Sequence, residues 1–175
     1  MRPIQSQGVK QLLYDAKSAA GKFNHRFVHT EYLLLGLLKH TNSATNLLRT
    51  TGVDCREMSE ACKKRCRVGH HDSEENIKLT PRAQHVMALA GEQMLELSHR
   101  DMDSRHILLG LLMEDEGLGG IILREHGITA DSIRQNIIDE DRQLLASNSP
   151  DTLQPKTGLI SRKSAGSLWR MWSRT

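Results

Sequence analysis

Three kinds of residue in this chain have the types and spacing to do chemistry. Cys62 and Cys66 fall four apart, on one face of a helix, and His70 and His71 follow closely enough for a turn near Gly69 to bring an imidazole round to a tetrahedral zinc site, with Cys55 nearby. That spacing is irregular for a finger or a ribbon, and free cysteines serve readily as small core residues, so the expectation is two buried thiols and no metal. A thiol paired with one of the nine histidines would make a nucleophile, but no fixed spacing supports one. Phosphate chemistry needs a G-x-x-x-x-G-K-[ST] loop; here Gly21-Lys22 is followed by Phe23, and Gly117-Leu118-Gly119-Gly120 carries no lysine. Neither catalysis nor a cofactor is expected. The third kind is a hydroxyl beside a charged residue at a helix start: Thr30-Glu31 and Ser104-Arg105, with Ser6 and Thr80 opening two further helices. A carboxylate in such a place suits a guanidinium, through directional, charge-assisted bidentate contacts.

The positions of these residues follow from a duplication. His25-Arg26 leads to Leu34-Leu35-Gly36-Leu37-Leu38, and 74 residues later His99-Arg100 leads to Leu108-Leu109-Gly110-Leu111-Leu112. The same offset pairs Ser6 with Thr80, Ala16 with Ala90, Thr30 with Ser104 and Tyr32 with His106. Beyond Gly117 it becomes 75, pairing Leu48 with Leu123, Gly52 with Gly127 and Met58 with Ile133. A loop between helices absorbs the extra residue. The period implies two copies of one multi-helix unit.

Helical spacing fits each copy. Leu12, Leu13, Ala16, Ala19, Ala20 and Phe23 recur at three and four residues, as do Val86, Met87, Ala90, Met94 and Leu97. Thr80-Pro81 reads as an N-cap followed by Pro at the first helical position, and Ser6 caps the matching helix. Thr30 to Lys39 and Ser104 to Met113 start on a hydroxyl and are apolar nearly all round, which predicts central buried helices. Gly36 and Gly110 inside them cost about 1 kcal/mol each against Ala, a loss explained by close approach of a neighbouring backbone. Short helices are expected at about 42–50 and 118–126, stopped by Gly52 and Gly127, with Asp54 and Thr129 opening the last helix of each copy. The fold class is therefore all-α: two four-helix repeats, about 6–67 and 80–142, joined by a polar linker at about 68–79, in one eight-helix domain with pseudo-two-fold symmetry. A flexible basic tail occupies about 146–175.

Charge and composition narrow the function. The formal net charge is +3, yet residues 1–142 carry 19 Lys and Arg against 20 Asp and Glu, and residues 143–175 carry five against Asp151 alone. The folded part is near neutral, without the basic stripe of a nucleic-acid binder, and 3% aromatics leave few stacking platforms. No nucleic-acid partner is expected. An odd cysteine count, no charged-then-apolar leader and no apolar run near ~18 residues lead to the expectation of a reduced, cytoplasmic protein. In the tail, Leu168, Trp169 and Trp172 stand among Arg162, Lys163, Arg170 and Arg174, residue types that anchor interfaces or lie on an anionic membrane; a free end is the plainer alternative.

The segments Thr30-Glu31-Tyr32-Leu33-Leu34-Leu35-Gly36-Leu37 and Ser104-Arg105-His106-Ile107-Leu108-Leu109-Gly110-Leu111, with Thr80-Pro81-Arg82-Ala83 and Leu97-Ser98-His99, resemble the duplicated N-terminal domain of Clp-type AAA+ unfoldases, over about residues 6–142. The resemblance implies a mobile module that receives substrate or adaptor polypeptides for an ATP-driven ring, often coupled to a protease. With no phosphate loop here, it implies a stand-alone or accessory copy whose partners are a Clp-type unfoldase or protease ring and its substrates or adaptors. Some members hold a phosphorylated arginine with the acidic residue of T-E-H and a hydroxyl near the start of the first helix, in each repeat. Carried over, this gives Ser6, Thr30 and Glu31 in copy one and Thr80, Ser104 and Arg105 in copy two. Arg105 replaces the acid and reverses the preference, so at most one such site is expected. The bland alternative is that Thr30 and Ser104 cap their helices and Glu31 favours a positive helix N-terminus. A second functional reading is a repurposed helical regulator, acting through the Cys/His cluster or through the Trp-containing tail on a membrane or nucleic acid.

Overall fold

Eight helices take the places that the duplication assigns them in a computed structural model, which describes residues 5–70 and 77–147. Copy one comprises α1 (Gln7–Lys22), β1 (Phe27–Val28), α2 (Thr30–Leu38), α3 (Ser43–Thr50) and α4 (Cys55–Arg65). Copy two comprises β2 (Lys78–Leu79), α5 (Pro81–Glu96), α6 (Ser104–Met113), α7 (Leu118–Glu125) and α8 (Ala130–Ser147). The expected linker therefore ends in a strand, and the last helix runs past the expected start of the tail at 146. Leu168, Trp169 and Trp172 lie outside the described residues. Residues up to Arg142 form one compact unit. Among the described residues no helix is long and apolar enough to cross a membrane.

The two apolar helices form the core. Leu33, Leu34 and Leu37 of α2 and Ile107, Leu108, Leu109 and Leu111 of α6 are fully buried. Helix α1 lies on α2 and α5 on α6, at glycines. A methyl group on Gly36 would stand 2.5 Å from the Leu12 carbonyl oxygen, and one on Gly110 would stand 2.4 Å from that of Val86. The two glycines thus let the outer helix backbones approach as the sequence predicts.

Helix ends follow the sequence in part. Ser6 accepts from Val9 N–H, Thr80 from Ala83 N–H with Pro81 behind it, Asp54 from Arg56 N–H, and Thr129 from Ser132 N–H. Gly52 and Gly127 take positive φ of 84° and 76°, completing α3 and α7. Asn24 and Ser98, equivalent residues, do the same for α1 and α5 at φ 57°, with no glycine to announce it.

Thr30 and Ser104 behave otherwise than expected. The N-caps of α2 and α6 are His29 and Asp103; Thr30 and Ser104 are the first helical residues, and both are buried. Their hydroxyls reach across the domain. Thr30 Oγ1 accepts from Gly119 N–H of α7 at 3.2 Å, and Ser104 Oγ accepts from Ala44 N–H of α3 at 3.1 Å. Each copy therefore caps a helix of the other, and α7 depends on it because its N-cap, Gly117, has no side chain to offer.

The same exchange joins the segments between helices. β1 and β2 pair in parallel, Phe27 with Lys78 and Val28 with Leu79, and Thr80 N–H donates to Val28 O at 3.0 Å. Its counterpart is a bridge between Gln5 and Met102, with Ser6 N–H donating to Met102 O at 2.9 Å. Val28 and Met102 are buried, so their backbones need protein partners, and find them in a two-residue ladder and a single bridge respectively. The extended pairing is confined to these places among the described residues.

Thr30→Val and Ser104→Ala each leave a buried N–H unpaired in the opposite copy, and each is expected to lower unfolding free energy by about 1–3 kcal/mol in denaturant titration. Gly36→Ala gains about 1 kcal/mol of helix propensity. The added methyl meets backbone that cannot rotate away, so overpacking of about 2–3 kcal/mol is expected to exceed that gain and leave a net loss of about 1–2 kcal/mol. A Gly36→Ala protein as stable as the parent would contradict the close approach.

Candidate functional site

Helices α1 and α2 run antiparallel: the rings of Phe23 and Tyr32 lie 5.8 Å apart at one end, while Gly36 meets Leu12 and Ala16 further along. Ser6 therefore stands at the far end of α1 from Thr30 and Glu31, so the three residues that the resemblance groups in copy one do not meet in one place. The ladders show which ends do meet. Ser6 is bonded beside the start of α6, with Ser104 and Arg105, and Thr80 is bonded beside the start of α2, with Thr30 and Glu31. Hydroxyl and charged residue are brought together across the copies, not within one.

At the α2 end, a shallow cleft of about 530 Å³ opens among His29, Thr80, Arg82, His85 and Glu114. Glu114 is only 7% exposed. Its Oε1 lies 3.3 Å from Arg82 Nε, while Oε2 is buried with no hydrogen-bond partner among the described residues. Arg82 also bonds Glu116. Gly117 leaves room for this carboxylate, since a methyl there would stand 2.1 Å from Glu114 Oε2 and 2.7 Å from Thr30 Oγ1 and would displace them. Glu31, in the first turn of α2, is half-buried and enters no ion pair among the described residues; its carbonyl accepts from Cys62 Sγ at 3.6 Å. Arg82 was visible in the sequence as part of Thr80-Pro81-Arg82-Ala83. Glu114 carried no signal.

The α6 end is closed by its own charges. Arg105 Nε donates to Asp103 Oδ2 at 2.9 Å, and Arg105 Nη1 lies 3.3 Å from Asp141 Oδ1 and 3.6 Å from Glu140 Oε2. Burial opposes its charge, but Asp103 and Asp141 outweigh burial and raise its pKa further. A chain of rings runs beside it. Asp103 N–H donates to His106 Nδ1 at 2.9 Å, His106 Nε2 is 2.8 Å from His99 Nδ1, and His99 Nε2 is 2.7 Å from Asp141 Oδ2. Burial pushes the Asp103 carboxyl up, but His106 and Arg105 overcome it and hold its pKa well below the usual carboxylate range. In copy one, His25 Nε2 instead meets Arg67 O at 2.9 Å just beyond α4, so the duplicated histidines tie down the last helix of each copy.

The cysteines lie where a core reading places them. Cys55 and Cys62 are buried, and Cys66 is half-buried at the end of α4. The hydrogen bond with Cys66, together with burial, pushes the Cys62 thiol up, and the same bond draws Cys66 down. His70 is exposed and His71 lies outside the described residues. Among the described residues no three His, Cys, Asp or Glu side chains are grouped to hold a metal ion.

A depressed carboxyl contributes stability that is complete above its unfolded pKa, about 4, and is lost as the pH falls through and below that value. Asp103→Asn keeps a capping oxygen but removes the charge. The variant is expected to melt lower than the parent at pH 7, by about 1–2 kcal/mol, with the gap narrowing toward pH 2 in thermal scans. A gap independent of pH would contradict the ionic role of Asp103.

Comparison with known proteins agrees with this architecture. The Clp repeat (R) N-terminal domain matches twice, at residues 5–97 and 78–161. The chaperone protein ClpB of Oceanobacillus iheyensis is 29% identical over 165 residues, covering 93% of this chain but 20% of that protein, so the chain spans about a fifth of this relative. Among solved structures, the N-terminal domain of ClpD from Arabidopsis thaliana superposes with a TM-score of 0.61 at 19% identity, covering 78% of this chain and 96% of that one. The ClpV N-domain, solved in complex with a VipB peptide, superposes with a TM-score of 0.59 at 18% identity, covering 78% and 92%. With two matches that take in both helical copies, the chain belongs to the Clp repeat N-terminal domain family.

Proposed function

We propose that the chain is a non-enzymatic protein-binding module of the Clp chaperone and protease system, receiving substrate or adaptor polypeptides or serving a Clp-type AAA+ unfoldase or protease ring as an accessory subunit. One observation carries the reading: the two pseudo-equivalent helix starts differ in what they leave unpaired. Arg105 is engaged by Asp103, Glu140 and Asp141, whereas Glu31 forms no ion pair among the described residues. At the same end of α2, the cleft lined by Thr80, Arg82 and Glu114 holds a buried carboxylate oxygen without a hydrogen-bond partner among the described residues. An acceptor-rich site beside an arginine suits a guanidinium carrying an anionic group, which the carboxylates and Arg82 would divide between them. The narrow form of the proposal is therefore a phosphorylated arginine at this end of the domain. That a ClpV N-domain binds a VipB peptide supports polypeptide recognition by this fold.

Calorimetric titration of the chain with phosphoarginine, and with a peptide containing it, tests the narrow form. Glu31→Ala is expected to weaken binding about tenfold or more, while Arg105→Ala weakens it far less. Equal losses in both variants would place recognition elsewhere, and no binding to the parent protein would remove phosphoarginine as the ligand. Enrichment of a Clp ATPase or its protease ring on the immobilised chain checks the wider proposal.

A further inference from the structure

Copy one contains a separate groove, of about 530 Å³, between α1, the end of α2, α3 and α4. Its floor is apolar, made by Ala19, Phe23, Leu35 and Leu38. Exposed cations stand around it: Lys22, Lys39, Arg49, Arg56 and Lys63. Two acids answer them. Asp15 is held by Lys39 at 2.5 Å, and Glu60 by Lys63 at 2.8 Å. Lys22, Arg49 and Arg56 form no ion pair within 4 Å among the described residues, although Arg56 stands near enough to Glu60 to favour its charge and Arg49 reaches the Cys55 thiol.

The duplication supplies an internal control, because copy two builds the same helices with different residues. Ala19 and Ser59 correspond to Gln93 and Arg134. Arg134 crosses the equivalent space, donating to Gln93 Oε1 from Nε at 3.1 Å and from Nη2 at 2.8 Å, and lies 4.0 Å from Met113 Sδ, at the position of Lys39. Asp131, which holds Arg134 at 3.2 Å, stands where copy one has Arg56. Glu96 and Ile138 replace Lys22 and Lys63. One backbone arrangement thus carries a filled space of mixed charge in copy two and an open, cationic space in copy one. The open state is not a requirement of the fold.

We propose that this groove docks an acidic segment of a partner polypeptide, with carboxylates on Lys22, Arg49 and Arg56 and one or two apolar side chains on the floor. The proposal deepens the protein-binding reading above and rests on it, at a place distinct from Glu31. The apolar floor decides for a peptide over a bare polyanion: nucleic acid and inorganic phosphate present nothing to cover Phe23 and Leu38, whereas an acidic amphipathic segment presents both parts. From Asp15 to Lys22 the groove follows α1 for about 10 Å, so a segment of two or three helical turns spans it.

The test is fluorescence anisotropy of the whole chain with a labelled peptide of about 12 residues, Leu at every third or fourth position and Glu elsewhere. Saturable binding is expected, falling as salt rises. Ala19→Gln with Ser59→Arg, which rebuilds the filling pair of copy two, is expected to reduce affinity about tenfold or more, as is Lys22→Glu with Arg56→Asp. Lys10→Glu, an exposed charge change on α1 outside the groove, matches the two-unit charge change of Lys22→Glu alone and is expected to leave binding intact. Circular dichroism and melting confirm each fold, and Lys22→Glu alone, on the exposed rim, serves if a double variant unfolds. Probe affinity unaffected by refilling the groove overturns the proposal. So does a Leu-free Glu peptide or a short RNA duplex that binds as tightly as the probe. A chain that binds the probe but not phosphoarginine fails only the Glu31 reading, and a chain that binds phosphoarginine but not the probe fails only this one.

Discussion

Each half of this domain completes the helix ends of the other. A helix leaves its first amide groups without partners, and a buried one must find acceptors in the protein. Here Gly119 N–H of α7 finds Thr30 of copy one, and Ala44 N–H of α3 finds Ser104 of copy two. The segments leading into α1 and α5 are likewise paired to Met102 and Val28 of the opposite copy. Neither copy alone satisfies its own backbone. The interlock also explains why glycines crowd the start of α7, where the backbone passes so close to Thr30 and Glu114 that a side chain has no room.

Much of this was legible in the residues because duplication turns a weak local pattern into a repeated one. The helices at 30–38 and 104–113, the close approach at Gly36 and Gly110, and the caps at Ser6, Asp54, Thr80 and Thr129 all follow from spacing and residue chemistry. What spacing cannot give is which helix ends face each other. A hydroxyl at a helix start looks like a local cap, and only the three-dimensional exchange of partners sends Thr30 and Ser104 across the domain. Asn24 and Ser98 adopt a left-handed conformation without the glycine that would have marked it. Glu114 belongs to the candidate site through burial beside Arg82, a property of packing with no counterpart in its neighbours along the chain.

The proposed binding sites lie where the copies differ. The symmetric residues hold the scaffold: the glycines, the leucines and the histidines that fasten the last helix of each copy. The unequal pairs set the surface chemistry, with Glu31 against Arg105, Tyr32 against His106, Ala19 against Gln93 and Ser59 against Arg134. In copy two the polar replacements bond to one another; in copy one Glu31, Lys22, Arg49 and Arg56 enter no ion pair within 4 Å among the described residues.

Native-state hydrogen exchange of the Gly119 and Ala44 amides tests the interlock most directly. First-turn amides of exposed helices exchange by local fraying, so Ser132 at the start of α8 serves as the reference. The reciprocal caps predict that Gly119 and Ala44 exchange only with global unfolding, at the same free energy as the core amides of α2 and α6. Exchange of either amide at the rate of Ser132 would contradict the account, since the half that supplies its cap would then not be holding it.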